Sequence, residues 1–286
     1  MNYSTMMEKI NSLCEDYNCI AVNYIGESIF GRGIPLLSLG CGKKRVMYLG
    51  VQSARDLGLC DVLLRFIKEY SAAYVGKGSF YGLPLDYLYK KVTISVVPML
   101  NPDGVEYRLS GVSADNPLRD RVLKMNGLSD DFSQWCANAR GVDLRWNYNC
   151  GYAQYKKSLN GTEFDGGAPF GYCGEYSESE QETGSLCNHI RYSEDICAVI
   201  DFCNSEDKIT YAKSVKNDKK ALALSEMLNY KLNPVDIADA SIYFWCEDEL
   251  SLPCFSVGCD TDKKGRDDFV IYTELRKLLF CAPMLF

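Results

Sequence analysis

Residues 46–70, VMYLGVQSARDLGLCDVLLRFIKEY, decide the fold. Residues 46–51 form an apolar run of the kind found in buried strands. From residue 57 onward, apolar side chains recur at helical spacing, which predicts an amphipathic helix. In α/β proteins the loop after the carboxyl end of a strand is where ligands and catalytic groups lie. The sequence therefore places a candidate site in the polar segment 52–56.

The same alternation of strand and helix patterns runs along the chain. Helical periodicity occurs in 4–16, 57–70, 178–191, 217–229 and 268–280. Apolar runs that fit buried strands occur in 19–25, 34–39, 45–51, 92–98, 196–202, 208–213 and 253–258. This alternation indicates an α/β fold with a largely parallel sheet covered by helices on both faces. No linker is evident, so we expect a single domain over residues 1–286.

The longest region without strong periodicity is 101–175, which is rich in Gly, Asn, Asp and Tyr. A loop of that length inside a compact domain is usually functional. It begins with Asn-Pro-Asp-Gly at 101–104, four residue types that favour turns, so a turn is expected there.

Charge and hydropathy exclude several classes of partner. The 286-residue chain has 31 Lys and Arg against 38 Asp and Glu, a net charge of −7. There is no basic stripe, so nucleic acid is not an expected partner. No apolar run reaches the roughly 20 residues that a membrane helix needs. Glu8 and Asn11 stand where a secretion signal would have its apolar core, so we expect a cytoplasmic protein with no membrane partner.

Fourteen cysteines and one histidine, His189, restrict the possible metal and thiol chemistry. No two cysteines have the CxxC spacing of a structural zinc site. We expect the thiols to be reduced and mostly buried. Any mechanism that needs two histidines is excluded.

Six segments, taken in order, resemble one family. They are IGESIFGRGIPLLSLGCGKKRVMYLG (25–50), VTISVVPMLNPDGVEYRLSG (92–111), LKMNGLSDDFSQWCANARGVDLRWNY (123–148), YSESEQETGSLCNHI (176–190), AVIDFCNSEDKITYA (198–212) and LSLPCFSVGCDTD (250–262). Together they are similar to the zinc carboxypeptidase family of metallopeptidases over about residues 3–285. The run at 126–144 is especially similar to the bacterial γ-D-glutamyl-diaminopimelate peptidases, which trim peptidoglycan stem peptides. The resemblance implies a three-layer α/β/α fold with a mixed, largely parallel, twisted sheet of eight strands, and peptide hydrolysis at one zinc ion.

The resemblance also assigns the catalytic positions of the family, and the family's side chain is absent from every one of them. The positions are Ser53 and Asp56 for the HxxE zinc-binding pair, Cys203 for the later zinc-binding His, Gly258 for the general-base Glu, Cys136 for the basic residue that stabilises the oxyanion, and Arg145 and Trp146 for the Asn-Arg pair that anchors the substrate carboxylate.

Ser53 and Asp56 have two interpretations. Both are favoured N-cap residue types, so they are expected to cap the helix that begins near residue 57. The other interpretation makes Asp56 and a Cys203 thiolate zinc ligands, although a neutral serine hydroxyl is a poor one. The cap interpretation is favoured, and Cys203 is then a small residue in the space of a missing imidazole.

The base position is the more severe obstacle to catalysis, because Gly258 cannot accept a proton. Asp260 lies two residues further, roughly 6–7 Å along an extended strand, and otherwise belongs to a solvated loop. A thiol-protease mechanism at Cys203 needs a neighbouring base. His189 is the single candidate, and it is expected at the end of a helix outside the sheet, where the helix dipole favours its cation.

Several residues are candidates to line a surviving cleft. Arg145 keeps a cation near the carboxylate anchor, but on an extended segment a one-residue shift reverses the face on which a side chain lies. Trp146 would then fill the pocket. The full set of candidate binding residues is Arg145, Trp146, Asn147, Arg119, Arg121 and Asp260.

These observations predict a degenerate, non-catalytic member of the family that binds no zinc. The expected ligand is a short acidic peptide or a cell-wall fragment, since the outline of the cleft is retained. The alternative is an active metallopeptidase with unusual ligands, Asp56 and Cys203, and with Asp260 as the base.

Overall fold

The computed structural model describes residues 1–159 and 166–286. Its strands are β1 (Ile20–Glu27), β2 (Gly33–Leu39), β3 (Lys44–Gly50), β4 (Ser79–Phe80), β5 (Leu83–Pro84), β6 (Val92–Val97), β7 (Ile196–Cys203), β8 (Lys208–Ala212), β9 (Lys231–Val235) and β10 (Cys254–Gly258). Its α-helices are α1 (Tyr3–Asp16), α2 (Leu57–Val75), α3 (Leu85–Lys91), α4 (Pro102–Ser110), α5 (Arg119–Met125), α6 (Tyr152–Ser158), α7 (Gln181–Arg191), α8 (Val215–Leu228), α9 (Ile242–Leu250) and α10 (Asp268–Cys281).

Eight strands form one mixed sheet in the order β1-β2-β6-β3-β7-β10-β8-β9, and β4 and β5 form a separate hairpin. The central strands β6, β3, β7 and β10 are parallel to their neighbours within that group. Antiparallel pairing joins β1 to β2, β2 to β6 and β8 to β10. The predicted α/β class and the mixed, largely parallel eight-stranded sheet are confirmed.

Each central strand buries both of its faces. In β3, Val46 and Tyr48 pack into one apolar core while Met47 and Leu49 pack into a second one. This follows from the period of two along a strand. The first core includes α1, α2, α8 and α10, and the second includes α7 and α9. Helices therefore cover both faces, which gives the three layers that the sequence predicts.

The elements that the sequence analysis missed are short or lie at an edge. The seven predicted strands all occur, but β9 was missed because Lys231 and Pro234 are residues typical of edge strands. The region 101–175 also contains α4, α5 and α6, each of nine residues or fewer. Residues 160–165 of that region lie outside the described part of the chain.

The turn expected at 101–104 is instead the start of α4. Asn101 is the N-cap, and its side-chain oxygen accepts from the Gly104 N–H at 3.0 Å. Pro102 follows at the first helical position, where a main-chain N–H has no partner within the helix, so proline loses no hydrogen bond there. Asn and Pro favour both turns and helix starts, so residue type alone did not separate the two.

Two glutamates at the N-terminal end of α7 lie in the interior. Glu180 accepts from Asn138 Nδ2 at 2.7 Å and from Ser179 Oγ at 2.8 Å. Glu182 is 1% exposed, and its Oε1 has no hydrogen-bond partner among the described residues. Burial, to which the charge of Glu180 adds, raises the pKa of Glu182 to about 8. The Glu182 carboxyl is therefore mostly protonated at pH 7.

This raised pKa makes the stability of the fold depend on pH in a defined direction. The pKa of the Glu182 carboxyl is about 8 in the folded protein and about 4.3 in an unfolded chain. Its contribution to stability is complete below the unfolded pKa and is lost as the pH rises towards the folded pKa. We expect the free energy of unfolding in urea to be the same for Glu182→Gln and the parent protein near pH 4.5. Above pH 8 that of Glu182→Gln should be larger by a few kcal/mol.

The matched control is Glu226→Gln, at an exposed position of α8. Its effect on unfolding free energy should be the same at both pH values. Parallel pH profiles for Glu182→Gln and the parent protein would contradict the assignment.

Candidate functional site

The sheet order brings the catalytic positions implied by the resemblance to one edge. Strands β3, β7 and β10 are neighbours, and all three run parallel. Gly258 at the end of β10 pairs with Cys203 at the end of β7, and Ser53 follows the end of β3. This strand-end site therefore lies at the edge where parallel α/β sheets place ligands.

Ser53 caps a helical turn, but not the turn that the sequence predicts. Residues Ala54–Asp56 form a 3₁₀ turn before α2, and Ser53 Oγ accepts from the Arg55 N–H at 3.3 Å. Asp56 occupies the N-cap position of α2 without a side-chain bond to that helix. The expectation that Asp56 caps α2 is corrected, because the intervening 3₁₀ turn directs its carboxylate into the protein.

Both oxygens of the Asp56 carboxylate are occupied by main-chain donors. Oδ1 accepts from the Asn204 N–H at 2.9 Å and Oδ2 from the Ser53 N–H at 3.2 Å. The residue is fully buried, and burial raises its pKa to about 6 although the charge of Arg145 acts in the opposite direction. Asp56 therefore joins the end of β3 to the loop after β7.

Cys203 keeps its proton. Burial, with the nearby charges of Asp201 and Asp56, raises the pKa of its thiol to about 12. Its sulfur lies 3.5 Å from Ser205 Oγ and 4.0 Å from the Val257 carbonyl oxygen. A neutral thiol is not the nucleophile that a thiolate is.

Gly258 occupies a position with no room for a side chain. A Cβ there would lie within 3.0 Å of the Glu206 carbonyl oxygen and of Ser205 Oγ. Because one of these atoms belongs to the main chain, it could move only together with the loop after β7. The glycine thus removes the base and also lets that loop close over the end of β10.

Cys136 lies beside Ser53 at the same edge. Its carbonyl oxygen accepts from the Ala54 N–H at 2.9 Å and from Asn101 Nδ2 at 3.3 Å. The side chain is buried, and burial raises the pKa of the thiol. The Cys136 side chain has no positive charge that could stabilise an oxyanion. Its main-chain oxygen instead joins the segment after β3 to Asn101.

Arg145 faces the strand-end site, contrary to the expectation from an extended segment. Residues Leu144–Trp146 form a 3₁₀ turn, so the alternation of faces along a strand does not apply. Arg145 Nε and Nη2 donate to the two oxygens of buried Asp143 at 3.0 and 2.8 Å. This pair, against the effect of burial, holds the pKa of Asp143 below its usual range. Trp146 stacks on Tyr155 with ring centroids 4.9 Å apart.

Three other candidate binding residues make hydrogen bonds to main-chain oxygens. Asn147 is fully buried and donates to the Cys173 and Tyr176 carbonyl oxygens. Arg119 and Arg121 donate to the main-chain oxygens of Val112 and Gly166.

Asp260 is half-buried rather than solvated. Its N–H donates to Asp207 Oδ1 at 3.1 Å, and its own carboxylate accepts from the Asp262 N–H at 3.2 Å. The loop after β10 is therefore tied down by its own hydrogen bonds, and they account for the position of Asp260.

A buried hydrogen-bond network that the sequence analysis did not identify joins the strand ends. Asp201 of β7 accepts from Gln52 Nε2 at 2.8 Å and from Ser256 Oγ of β10 at 2.6 Å. Tyr148 Oη donates to Gln52 Oε1, and Asn101 Nδ2 donates to the Gln52 carbonyl oxygen at 3.1 Å. Burial raises the pKa of Asp201, while its two hydrogen bonds act in the opposite direction. An aspartate inside the apolar run 196–202 was the available signal.

The three side chains at the metal positions do not fit a zinc ion. Ser53 is a fully buried, uncharged hydroxyl, which is a poor zinc ligand, so Asp56 and Cys203 would leave the ion one donor short of the three protein ligands of a catalytic zinc site. In residues 1–159 and 166–286, no group of three or more His, Cys, Asp or Glu side chains could hold a metal ion. The alternative, with Asp56 and Cys203 as ligands and Asp260 as the base, therefore lacks a third protein ligand.

His189 lies in the last turn of α7, in a groove with Arg45 and Asp195 that starts from the amino end of β3. That is the opposite edge of the sheet from Cys203, so a Cys-His pair is not formed. The expectation of a favoured cation is corrected, because burial and the charge of Arg45 lower the pKa of His189.

Comparison with known proteins identifies similar sequences and folds. A family profile described as zinc carboxypeptidase matches residues 5–233. The gamma-D-glutamyl-L-diamino acid endopeptidase 1 of Lysinibacillus sphaericus is 34% identical over 143 residues, which is 50% of this chain and 36% of that protein. The chain thus spans little more than a third of that relative. No helix in the described residues is long and apolar enough to cross a membrane.

Two solved structures share the fold at low sequence identity. Bovine thrombin-activatable fibrinolysis inhibitor, solved with tick carboxypeptidase inhibitor, has a TM-score of 0.71 at 17% identity, covering 98% of this chain and 94% of that one. The murein-tripeptide amidase MpaA of Escherichia coli O157 has a TM-score of 0.53 at 17% identity, covering 93% and 91%. Both show similarity in fold.

The close approach at Gly258 predicts a large effect for a small substitution. Gly258→Ala should destabilise the protein by at least about 1–2 kcal/mol, because the new methyl group meets a main-chain oxygen. Gly184→Ala is the control, since a Cβ at that position in α7 has its nearest neighbour at 3.6 Å. That change should be neutral or stabilising by up to about 1 kcal/mol. Equal unfolding free energies for the two variants would contradict the packing described for Gly258.

Proposed function

Because this chain belongs to the zinc carboxypeptidase family and its side chains do not fit the family's metal ion, we propose that it is a non-catalytic member that binds short acidic peptides. The cytoplasm is the proposed location. Family membership describes ancestry and fold, whereas activity depends on the site.

The observation that carries this proposal is that the Asp56 carboxylate is buried and hydrogen-bonded to the main chain. Its two oxygens accept two main-chain N–H groups from separate loops, at 2.9 and 3.2 Å. Those oxygens keep further lone pairs, but the carboxylate is fully buried, and because Ser53 is an uncharged hydroxyl a zinc ion here would have Cys203 as its one other protein ligand, against three in a catalytic site. Without the metal nothing lowers the pKa of the attacking water, and Gly258 supplies no base to deprotonate it.

Arg145 supports the binding half of the proposal. Its side chain is 29% exposed, and Asp143 contacts the Nε and Nη2 edge of the guanidinium. No partner of Nη1 is found among the described residues, so this end remains available to a carboxylate. The fixed plane of the guanidinium lowers the entropy lost on binding a carboxylate.

The chemical class of the ligand follows from the relatives and from this cation. The name of the Lysinibacillus sphaericus relative specifies a γ-D-glutamyl-L-diamino acid bond. Peptides with that bond carry free carboxylates, which suit an arginine anchor. We infer that cell-wall-derived peptides of this type are the ligands.

The absence of catalysis is tested by metal content and turnover. The purified full chain, equilibrated with zinc and then desalted, should hold far less than one zinc per chain by mass spectrometry of the metal. It should not hydrolyse γ-D-glutamyl-diaminopimelate peptides. Stoichiometric zinc together with turnover would refute the proposal.

Binding is tested separately by calorimetric titration with the same peptides. Arg145→Gln should weaken binding at least about tenfold, or 1.4 kcal/mol. Because this change leaves Asp143 buried without its partner, Asp143→Asn/Arg145→Gln is the second variant, in which both charges are removed. Arg65→Gln, which alters an exposed arginine of α2 outside the candidate binding residues, is the control. Unchanged affinity in both Arg145 variants would exclude this residue as the anchor.

A further inference from the structure

A second groove lies at the opposite edge of the sheet from the strand-end site. It has a volume of about 420 Å³ and begins where the parallel strands β3 and β6 start. Its lining residues are Lys43, Lys44, Lys90, Lys91, Val92, Pro283, Met284 and Phe286. This amino-end groove therefore shares no residue with the strand-end site.

The groove concentrates positive charge in a protein of net charge −7. Four of its lining residues are lysines and none is acidic. Lys90 pairs with Asp86 at 2.8 Å, but both side chains are more than half exposed, so this pair compensates little of the charge. Among the described residues, the ammonium groups of Lys43 and Lys91 have no ion-pair or hydrogen-bond partner, whereas that of Lys44 donates to the Phe286 main-chain oxygen at 2.6 Å.

A fifth lysine extends the same positive region. The Lys220 ammonium lies 4.3 Å from the centroid of the Phe286 ring. Burial and the charges of Lys216 and Lys44 lower the pKa of Lys220. Like charges are thus close enough to repel one another, and an anion bound between them would relieve that repulsion.

The floor of the groove is apolar, formed by Val92, Pro283 and the half-buried ring of Phe286. A lysine rim above an apolar floor is complementary to an anion that carries an apolar body. Lysine ammonium groups bind phosphate as point charges, and several of them together suit an anion that carries more than one negative charge. The volume falls in the range of small-molecule sites.

We propose that the amino-end groove binds a soluble organic phosphate with an aromatic or other apolar group, of the nucleoside diphosphate type. Its phosphates would lie between the unpaired ammonium groups of Lys43 and Lys91, and its ring against Phe286. A flat anionic membrane is the weaker fit, because the site is concave and Met284 is the one exposed apolar residue on its rim. The overall negative charge also opposes contact with an anionic bilayer.

Calorimetric titration of the full chain at low ionic strength tests this proposal. The probes are adenosine diphosphate, inorganic pyrophosphate and adenosine. Adenosine diphosphate should bind once per chain. Pyrophosphate, which lacks the ring, and adenosine, which lacks the phosphates, should each bind at least about tenfold more weakly. Raising the salt concentration should weaken the binding.

Substitutions locate the site. Lys43→Glu/Lys91→Glu should weaken adenosine diphosphate binding at least about tenfold, and Lys43→Ala/Lys91→Ala serves if charge reversal impairs folding. Lys68→Glu, at an exposed lysine of α2, should leave the affinity unchanged.

Three results would overturn the proposal. They are equal affinity in the Lys43/Lys91 variants and the parent protein, no saturable binding up to about 1 mM, and capture by phosphatidylglycerol vesicles without binding of the soluble nucleotide.

Discussion

The carboxylate of Asp201 is the group on which the strand-end edge depends. It lies 3% exposed between two strands and accepts from Gln52, after β3, and from Ser256, in β10. Through Gln52 the network reaches Tyr148 and Asn101. Removing one donor would leave part of a buried carboxylate unsatisfied, which is costly in a medium of low dielectric. In the fold that the resemblance implies, zinc joins residues that follow separate strands. In this chain hydrogen bonds and the Asp56 carboxylate join the same strand ends.

The residues that replace the family's catalytic side chains therefore make structural contacts of their own. Asp56 binds two main-chain N–H groups, and Gly258 admits the loop after β7 into the space of a side chain. Arg145 places a cation beside buried carboxylates and pairs with Asp143. Returning a glutamate to position 258 would place its Cβ against the Glu206 carbonyl oxygen. The present side chains thus hold the strand-end edge together through contacts of their own.

The periodicity of the sequence identified the elements of the sheet, since the central strands are continuous apolar runs. β9 was missed because an edge strand tolerates Lys231 and Pro234. Conformation inside the site was harder to predict, because it depends on single turns. The 3₁₀ turn after Ser53 takes the capping box of Ser53 and Asp56 in place of α2, and the 3₁₀ turn at Leu144–Trp146 directs Arg145 to the site. Asp201 could have been identified, since an ionisable residue within a buried strand needs partners.

The most direct test of this account is anomalous diffraction at the zinc edge from crystals grown with excess zinc. We predict no anomalous peak within bonding distance, about 2.0–2.3 Å, of the Asp56 carboxylate or the Cys203 sulfur. The hydrogen bonds from Ser53 and Asn204 to Asp56 should be intact in the same electron density. A peak coordinated by Asp56 and Cys203, with those two bonds broken, would contradict it.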